Sequence, residues 1–450
     1  MNNSRRDFVK NTAKGAVAVS LGGILPGFSA KSYASIIGAN EKIRVACMGV
    51  NSRGFAVGTN FATQQADCEV IYACDVDSRA AEKFIGGVEK ITGRRPKSEP
   101  DFRKALEDKQ LDALVVTAPD HWHAPAAILA CKAGKNVYVE KPCSHNPNEG
   151  ELLVAAARKY NRVVQMGSQR RSLPNFQAAI KELHGGVIGR PYFAKTWYTN
   201  NRASIGIGKP VSVPSWLNYD LWQGPAPRQA FKDNIIHYNW HWFWNWGTGE
   251  AGNNAIHVVD LARWGLGVDF PVSVSSAGGR YRYKDDWQTF DTQMINIEFN
   301  NNSMISWEGR SCNDGPVEGS GSGLIFYGDT GSMYLGDRNS YKIFDISGKL
   351  TKEVKNDVLV GDPKSLSSPS QLLDVMHVKN FFEGIRKGAD QLNQPILSGH
   401  KSTLLVQLGN IAQRTGRTLN IDPANGHILN DKEAMKLWTR SYEPGWEPKI

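Results

Sequence analysis

The feature that most constrains this chain is an alternation that starts at Lys42. The run EKIRVACMGVNSRGFAVGTNF is an apolar strand pattern ending at Gly49, then a turn, then small and apolar residues at helical spacing. CEVIYACDVD follows as a second strand closing on Asp75. The order then repeats, with FRKALEDKQLD as helix, ALVVTAP as strand, HAPAAILACKAG as helix, NVYVEKP as strand, NPNEGELLVAAARKYN as helix and VVQMGS as strand. Strands separated by helices of about ten to fifteen residues need right-handed crossovers, and these make the sheet parallel. Residues 41–165 are therefore predicted to form a doubly wound α/β domain. At 450 residues the chain exceeds one ordinary core, so residues 166–450 are assigned to a second domain.

The first strand–turn–helix has the chemistry of a nucleotide cradle. Gly49 permits a tight turn, a helix starting near Ser52 and Arg53 offers free N–H groups and a positive dipole end to a pyrophosphate, and Gly54 lets helix and strand approach closely. Asn51 replaces the middle glycine of the GxGxxG pattern, and asparagine tolerates left-handed backbone angles. Asp75 stands at the end of the second strand, where a carboxylate accepts hydrogen bonds from an adenosine ribose and repels a 2′-phosphate. NAD is the predicted cofactor. Arg79, four residues on, is placed to pair with a phosphate and keeps NADP open.

From about residue 186 the texture changes to strand alternation: RPYFAKTWYT, PVSVSSAGGRYRY, TQMINIEFNNNSMISWEGR, GLIFYGDTGSMYLG and SYKIFDISGK. Turns at Asn300-Asn301-Asn302 and Asp329-Thr330-Gly331 make the later runs hairpins of a large, mostly antiparallel open sheet, giving an α+β domain. Two helical runs near the C-terminus, LLDVMHVKNFFEGIRKG and KSTLLVQLGNIAQRTG, are predicted to pack back on the first domain. An open sheet face needs a cover, so a homo-oligomer, dimer or tetramer, is expected. Between these parts lies HYNWHWFWNW, residues 237–246, with tryptophan at every second position. An extended stretch would put all four rings on one face. A buried face is the plain reading. The segment also leads into the Gly247 turn and His257, so Trp240 and Trp242 are candidates for a sugar platform, with Tyr198 and Trp216 in the wall.

The combination of GVNSRG, CDVD, TAPDHWHAPAAILACKAGKNVYVEKP and GTGEAGNNAIHVVDLARW resembles the Gfo/Idh/MocA oxidoreductases across nearly everything after residue 41. That resemblance implies an NAD(P)-dependent oxidoreductase. It places Lys141 of the Glu140-Lys141-Pro142 tripeptide beside the nicotinamide and the substrate hydroxyl, and puts Thr117, Pro119, His123, Glu140 and Gln169 around the cofactor. Arg170 would orient substrate oxygens. After the glycine turn, family members carry an Asp, a His four residues later and an Asp three further on; this chain has Asn253, His257 and Asp260, which a helix beginning near Glu250 would place on one face. An amide accepts hydrogen bonds but takes no proton, so acid/base work falls on Lys141 and His257. A lysine beside an oxidised nicotinamide has its ammonium disfavoured and can take a hydroxyl proton as hydride leaves. The histidines lack a third ligand at zinc spacing, and no metal is expected.

Residues 1–34 read as an export signal, with Ser4-Arg5-Arg6-Asp7-Phe8-Val9-Lys10 resembling the twin-arginine type that engages the folded-protein export machinery. A bacterial, periplasmic location follows as an expectation. No later stretch is apolar enough to span a membrane, so no stable membrane insertion is expected. Of the formal charge of +9, the first 34 residues supply +4 (five Lys/Arg, one Asp), leaving +5 for the rest, which does not point to nucleic acid. Six cysteines without CxxC pairs are read as core residues, with few or no disulfides.

The leading expectation is an NAD-dependent oxidoreductase acting on a carbohydrate or glycoside. Free NAD is scarce outside the cytoplasm, so an exported enzyme would hold its cofactor tightly and regenerate it in place. That makes an NAD-dependent glycoside hydrolase, resembling α-N-acetylgalactosaminidases of the same superfamily, the second reading. There oxidation, elimination, water addition and re-reduction follow in sequence. Those enzymes carry a Pro-Thr-His run where this chain has Asn254-Ala255-Ile256-His257. A third reading is a non-catalytic sugar-binding protein that retains NAD.

Overall fold

A computed structural model describes residues 41–336, 339–356 and 369–450. The twin-arginine segment lies outside the described residues. The first sheet joins β1 (Ile43–Met48), β2 (Cys68–Cys74), β3 (Lys97–Ser98), β4 (Ala113–Val116), β5 (Asn136–Glu140) and β6 (Val164–Gly167) in the order β3-β2-β1-β4-β5-β6, every pair parallel. Strand order reverses between β1 and β4, and the ends of those two strands open the crevice where such sheets bind ligands. β4 is buried at all four positions because helices cover both faces. β6 runs to Gly167, two residues beyond the expected boundary at 165.

The second sheet has nine strands: β7 (Pro191–Thr199), β8 (Ser273–Gly279), β9 (Thr292–Phe299), β10 (Ser303–Arg310), β11 (Ser322–Gly328), β12 (Gly331–Leu335), β13 (Tyr341–Asp345), β14 (Leu350–Val354) and β15 (Leu419–Asn420). Their order is β14-β13-β12-β11-β7-β10-β9-β8-β15. β7 and β10 are parallel, and all other pairs are antiparallel. Alternation buries Ile295, Ile297, Phe299, Ile305 and Trp307 on one face. Helices Ile256–Leu266 and Ile396–Thr415 cover that face.

Three expectations change. FRKALEDKQLD is helical only over Phe102–Leu106, because Asp108 turns the chain by accepting from Gln110 N at 2.8 Å. The strand β15 was too brief to show a period, and β14, exposed along nearly all its length, has no buried face to give one. The Trp run is not extended, as described below. The C-terminal helix pair spans Pro369–Lys387 and Ile396–Thr415, and both helices pack on the first domain. The closing residues do so as well: Arg440 Nε donates to buried Glu149 at 2.9 Å and Arg440 Nη2 to His121 O at 2.9 Å, while Trp446 meets Trp122 edge-on with ring centroids 5.4 Å apart. The six cysteines are buried and unpaired. Among the described residues no helix is long and apolar enough to cross a membrane, and no group of side chains has metal-ligand geometry.

Candidate active site

A crevice of about 400 Å³ opens at the ends of β1, β4 and β5. Its floor is the Gly49 turn. Gly49 has φ +77°, and a Cβ there would lie 2.5 Å from Ala118 Cα; a Cβ on Gly54 would lie 1.8 Å from Gly49 O. Both glycines are therefore required by close approach, as the sequence pattern implied. Thr117 Oγ1 donates to Met48 O and Gly49 O at 2.9 and 2.8 Å, tying the two strand ends together. Asn51, Ser52 and Arg53 line the crevice ahead of the helix Arg53–Thr63. Asp75 lines it too, accepting from Val50 N at 2.7 Å and Asp77 N at 2.9 Å. Burial raises its carboxyl pKa against those two N–H bonds.

The opposite lip is Glu140-Lys141-Pro142. Glu140 Oε1 accepts from Gln169 Nε2 at 2.6 Å and Arg53 Nη2 at 3.1 Å. Arg53 is in turn held by Asp374 at 2.6 and 2.8 Å. Burial opposes the guanidinium's charge, and Glu140 and Asp374 more than offset it, so its pKa is raised. Arg53 and Gln169 thus act as braces for Glu140; in the sequence both were candidates for direct cofactor contact. Glu140 Oε2 is buried and has no partner among the described residues. A buried spare acceptor on the crevice wall suits the N–H and O–H groups of a dinucleotide, so the residues present fit NAD. His123 also braces: its ring nitrogens lie 2.6 Å from Pro142 O and 2.7 Å from Ala118 O, joining the tripeptide to the loop that holds Pro119. The Lys141–Pro142 bond is cis.

Lys141 Nζ donates to Asn253 O at 2.8 Å and Asn253 Oδ1 at 3.0 Å. Burial lowers its pKa, while Glu140 and Asp120 act the other way. Lys141 and Asn253, assigned from the sequence to acid/base work and substrate binding, are thus brought together. Asn253 sits in a π-turn, Ala251–Ala255, that precedes the helix Ile256–Leu266; the sequence predicted a plain α-helix there. The wider turn changes which side chains share a face. His257 is half-buried; burial, then the charges of Lys141, Arg170 and Arg53, push its imidazole well below the usual range. Arg170 is half-buried in the Gln169–Ser172 turn.

Asp260 does not belong to the substrate wall. It is 1% exposed and accepts from Arg171 twice at 2.8 Å, from Ser402 Oγ at 2.6 Å and from Gln394 Nε2 at 2.8 Å. Burial works against its charge, but Arg171 and Ser402 hold its pKa below the ordinary value. The Trp run also differs from expectation. Tyr238 has φ +83° and Asn239–Trp242 forms a 3-10 turn, so the alternation does not map onto one face. Trp240 is half-buried, stacks on His241 at 3.6 Å and lines the crevice. Trp242 is 1% exposed and stacked on Trp287 at 3.9 Å, outside the crevice lining, so it cannot carry a sugar. Tyr198 is likewise outside that lining; its hydroxyl accepts from Asn200 Nδ2 at 2.8 Å.

Sequence reasoning missed the ion pair behind Asn253. Arg202 Nε and Nη2 donate to buried Glu250 at 2.8 and 3.2 Å, and Arg202 Nη1 donates to Tyr238 OH at 2.7 Å. Glu250 Oε1 also accepts from Asn254 Nδ2. Asp374 was missed as well, since its partner Arg53 is distant in sequence.

Residues 43–168 match the model of an oxidoreductase family's NAD-binding Rossmann fold, and residues 203–406 match the C-terminal alpha/beta domain of the same family. Inositol 2-dehydrogenase 4 of Saccharopolyspora erythraea is 28% identical over 179 residues, 39% of this chain and 51% of that one. A glycosyl hydrolase family 109 protein of the same organism is 26% identical over 254 residues, 51% of this chain and 55% of that one. The chain thus matches about half the length of these curated relatives. Among solved structures, levoglucosan dehydrogenase in complex with NADH and levoglucosan superposes with a TM-score of 0.64 at 18% identity, covering 84% of this chain and 99% of that one. With two consecutive domain models matched and the same fold in the neighbouring structure, the chain belongs to the Gfo/Idh/MocA oxidoreductase family.

Proposed function

We propose that the protein is an NAD-dependent oxidoreductase acting on a ring hydroxyl of a carbohydrate or glycoside. The observation that carries this is Lys141: a half-buried lysine at the end of β5, on the crevice wall, with its amine donating twice to Asn253. Burial favours the neutral amine. A neutral amine donating both N–H groups to Asn253 keeps its lone pair for a substrate hydroxyl proton. Asn253 orients that lone pair and takes no proton. His257, held neutral, serves as a hydrogen-bond partner and not as an acid. Bound NAD supplies the hydride acceptor; the Gly49–Gly54 turn, Asp75 and Glu140 are the residues that would hold it. NAD is favoured over NADP because Asp75 is present and Arg79 is engaged by Asp77. The inositol and levoglucosan dehydrogenases among the relatives support a cyclic polyol or sugar substrate.

The glycosidase reading is kept as second because a family 109 protein matches over 254 residues, while an inositol dehydrogenase of Bacillus subtilis matches over 396 and supports the first reading. Incubation with a glycoside panel separates the cases: keto-sugar and NADH support the first, released aglycone the second, and binding without chemistry a sugar-binding protein. Undiminished turnover by Lys141→Ala would remove the mechanism. Twin-arginine export to the periplasm is supported by the Ser4–Lys10 motif and is tested by fractionating cells that express Arg5→Lys/Arg6→Lys. A homo-oligomer through the open sheet is supported by the half-buried Phe193–Tyr327 stack and exposed Met294 on its strands, and sedimentation velocity tests it.

A further inference from the structure

The segment that leaves β7 and reaches the π-turn crosses the mouth of the crevice and is fastened to the first domain on the side of Asp75. Ser78 N donates to Trp216 O at 3.0 Å and Asn218 N to Val76 O at 2.9 Å. His237 Nε2 lies 2.9 Å from Asp77 Oδ2. Arg79, bonded twice to Asp77, stacks with its Cζ 3.3 Å from the centre of the Trp216 ring. On the other side of the same segment, Trp122 Nε1 donates to Trp222 O at 2.9 Å and His121 N to Trp246 O at 3.1 Å. Between these fastenings Leu221, Trp222, Tyr238 and Trp240 line the crevice together with Gly49 and Asp75.

We infer that residues 216–241 form a strap over the adenosine half of the site, which makes NAD a resident group that exchanges only when the strap opens. This rests on the reading of the crevice as an NAD site. A dinucleotide lying from Gly49 past Asp75 has the strap between it and solvent, so release requires the fastenings to open first. The side-chain latch consists of one cation–π stack and one imidazole–carboxylate bond. Their loss is expected to speed exchange by roughly 100-fold.

The test loads the full chain with NAD, desalts it, and follows replacement of bound NAD by isotopically labelled NAD using mass spectrometry. Arg79→Ala and His237→Gln are compared with wild type. Arg79 is exposed along most of its side chain, so its variant keeps the test valid should the second fail to fold. The expected result is that wild type carries NAD through desalting and exchanges it roughly 10-fold more slowly than either single variant, the two effects together making up the roughly 100-fold. Rapid exchange by wild type, or equal rates in all three, overturns the strap and leaves the NAD site standing. No uptake of NAD by wild type overturns the site reading itself.

Discussion

The two walls of the crevice are built differently. The first-domain wall is made of strand ends: Gly49, Asp75, Thr117 and Glu140-Lys141 each stand where a parallel strand stops, and the sheet's register fixes their spacing. The facing wall is made of a strap, a 3-10 turn and a π-turn held by polar contacts between residues far apart in sequence, such as the Arg202–Glu250 ion pair and the His237–Asp77 hydrogen bond. The first wall is a product of backbone periodicity. The second depends on particular side chains, so single substitutions should disturb it in ways that separate its chemistry from its scaffolding.

The largest effect is expected where the walls meet. Lys141→Ala should lower kcat for sugar oxidation by about 10²–10⁴-fold while NAD, followed by fluorescence titration, is still taken up. Asp260→Ala should cost about 3–5 kcal/mol, because it leaves Arg171 buried without its carboxylate. A fall in the denaturation midpoint would mark Asp260 as scaffolding; unchanged stability with a raised KM would restore it to the substrate wall. Asn253→Asp places a carboxylate beside Lys141 and favours the ammonium. Oxidation needs the neutral amine, so the rising limb of kcat against pH, which burial sets below the ordinary lysine range, should move to higher pH. The smallest effect is expected within the Trp run. Trp240→Ala should raise the sugar KM several-fold, about 1 kcal/mol, whereas Trp242→Phe should lower thermal stability and leave KM as it was.

The same contrast explains what the sequence could and could not show. Gly49 and Gly54 were legible because steric demands on a turn allow one residue type, and Lys141 stood out because Glu140-Lys141-Pro142 resembles the family's motif at a strand end. Asp260 was misplaced because helical spacing from His257 says nothing about Arg171, Gln394 and Ser402, which reach it from other elements. Trp242 was misplaced because period-two alternation was read as a strand, while the positive φ of Tyr238 and a partner at Trp287 turned the chain instead. Braces such as Asp374 carry no local signal, since an ion pair between distant elements leaves neither period nor motif.

The closing residues have a consequence for the order in which the molecule is completed. Glu149 is fully buried, and its cationic partner, Arg440, leaves the ribosome 291 residues after it. An interior carboxylate without a counter-ion is strongly unfavourable. The domain that is translated first is therefore held unfinished until Arg440 has been made, and a chain terminated before it lacks the means to seal that domain.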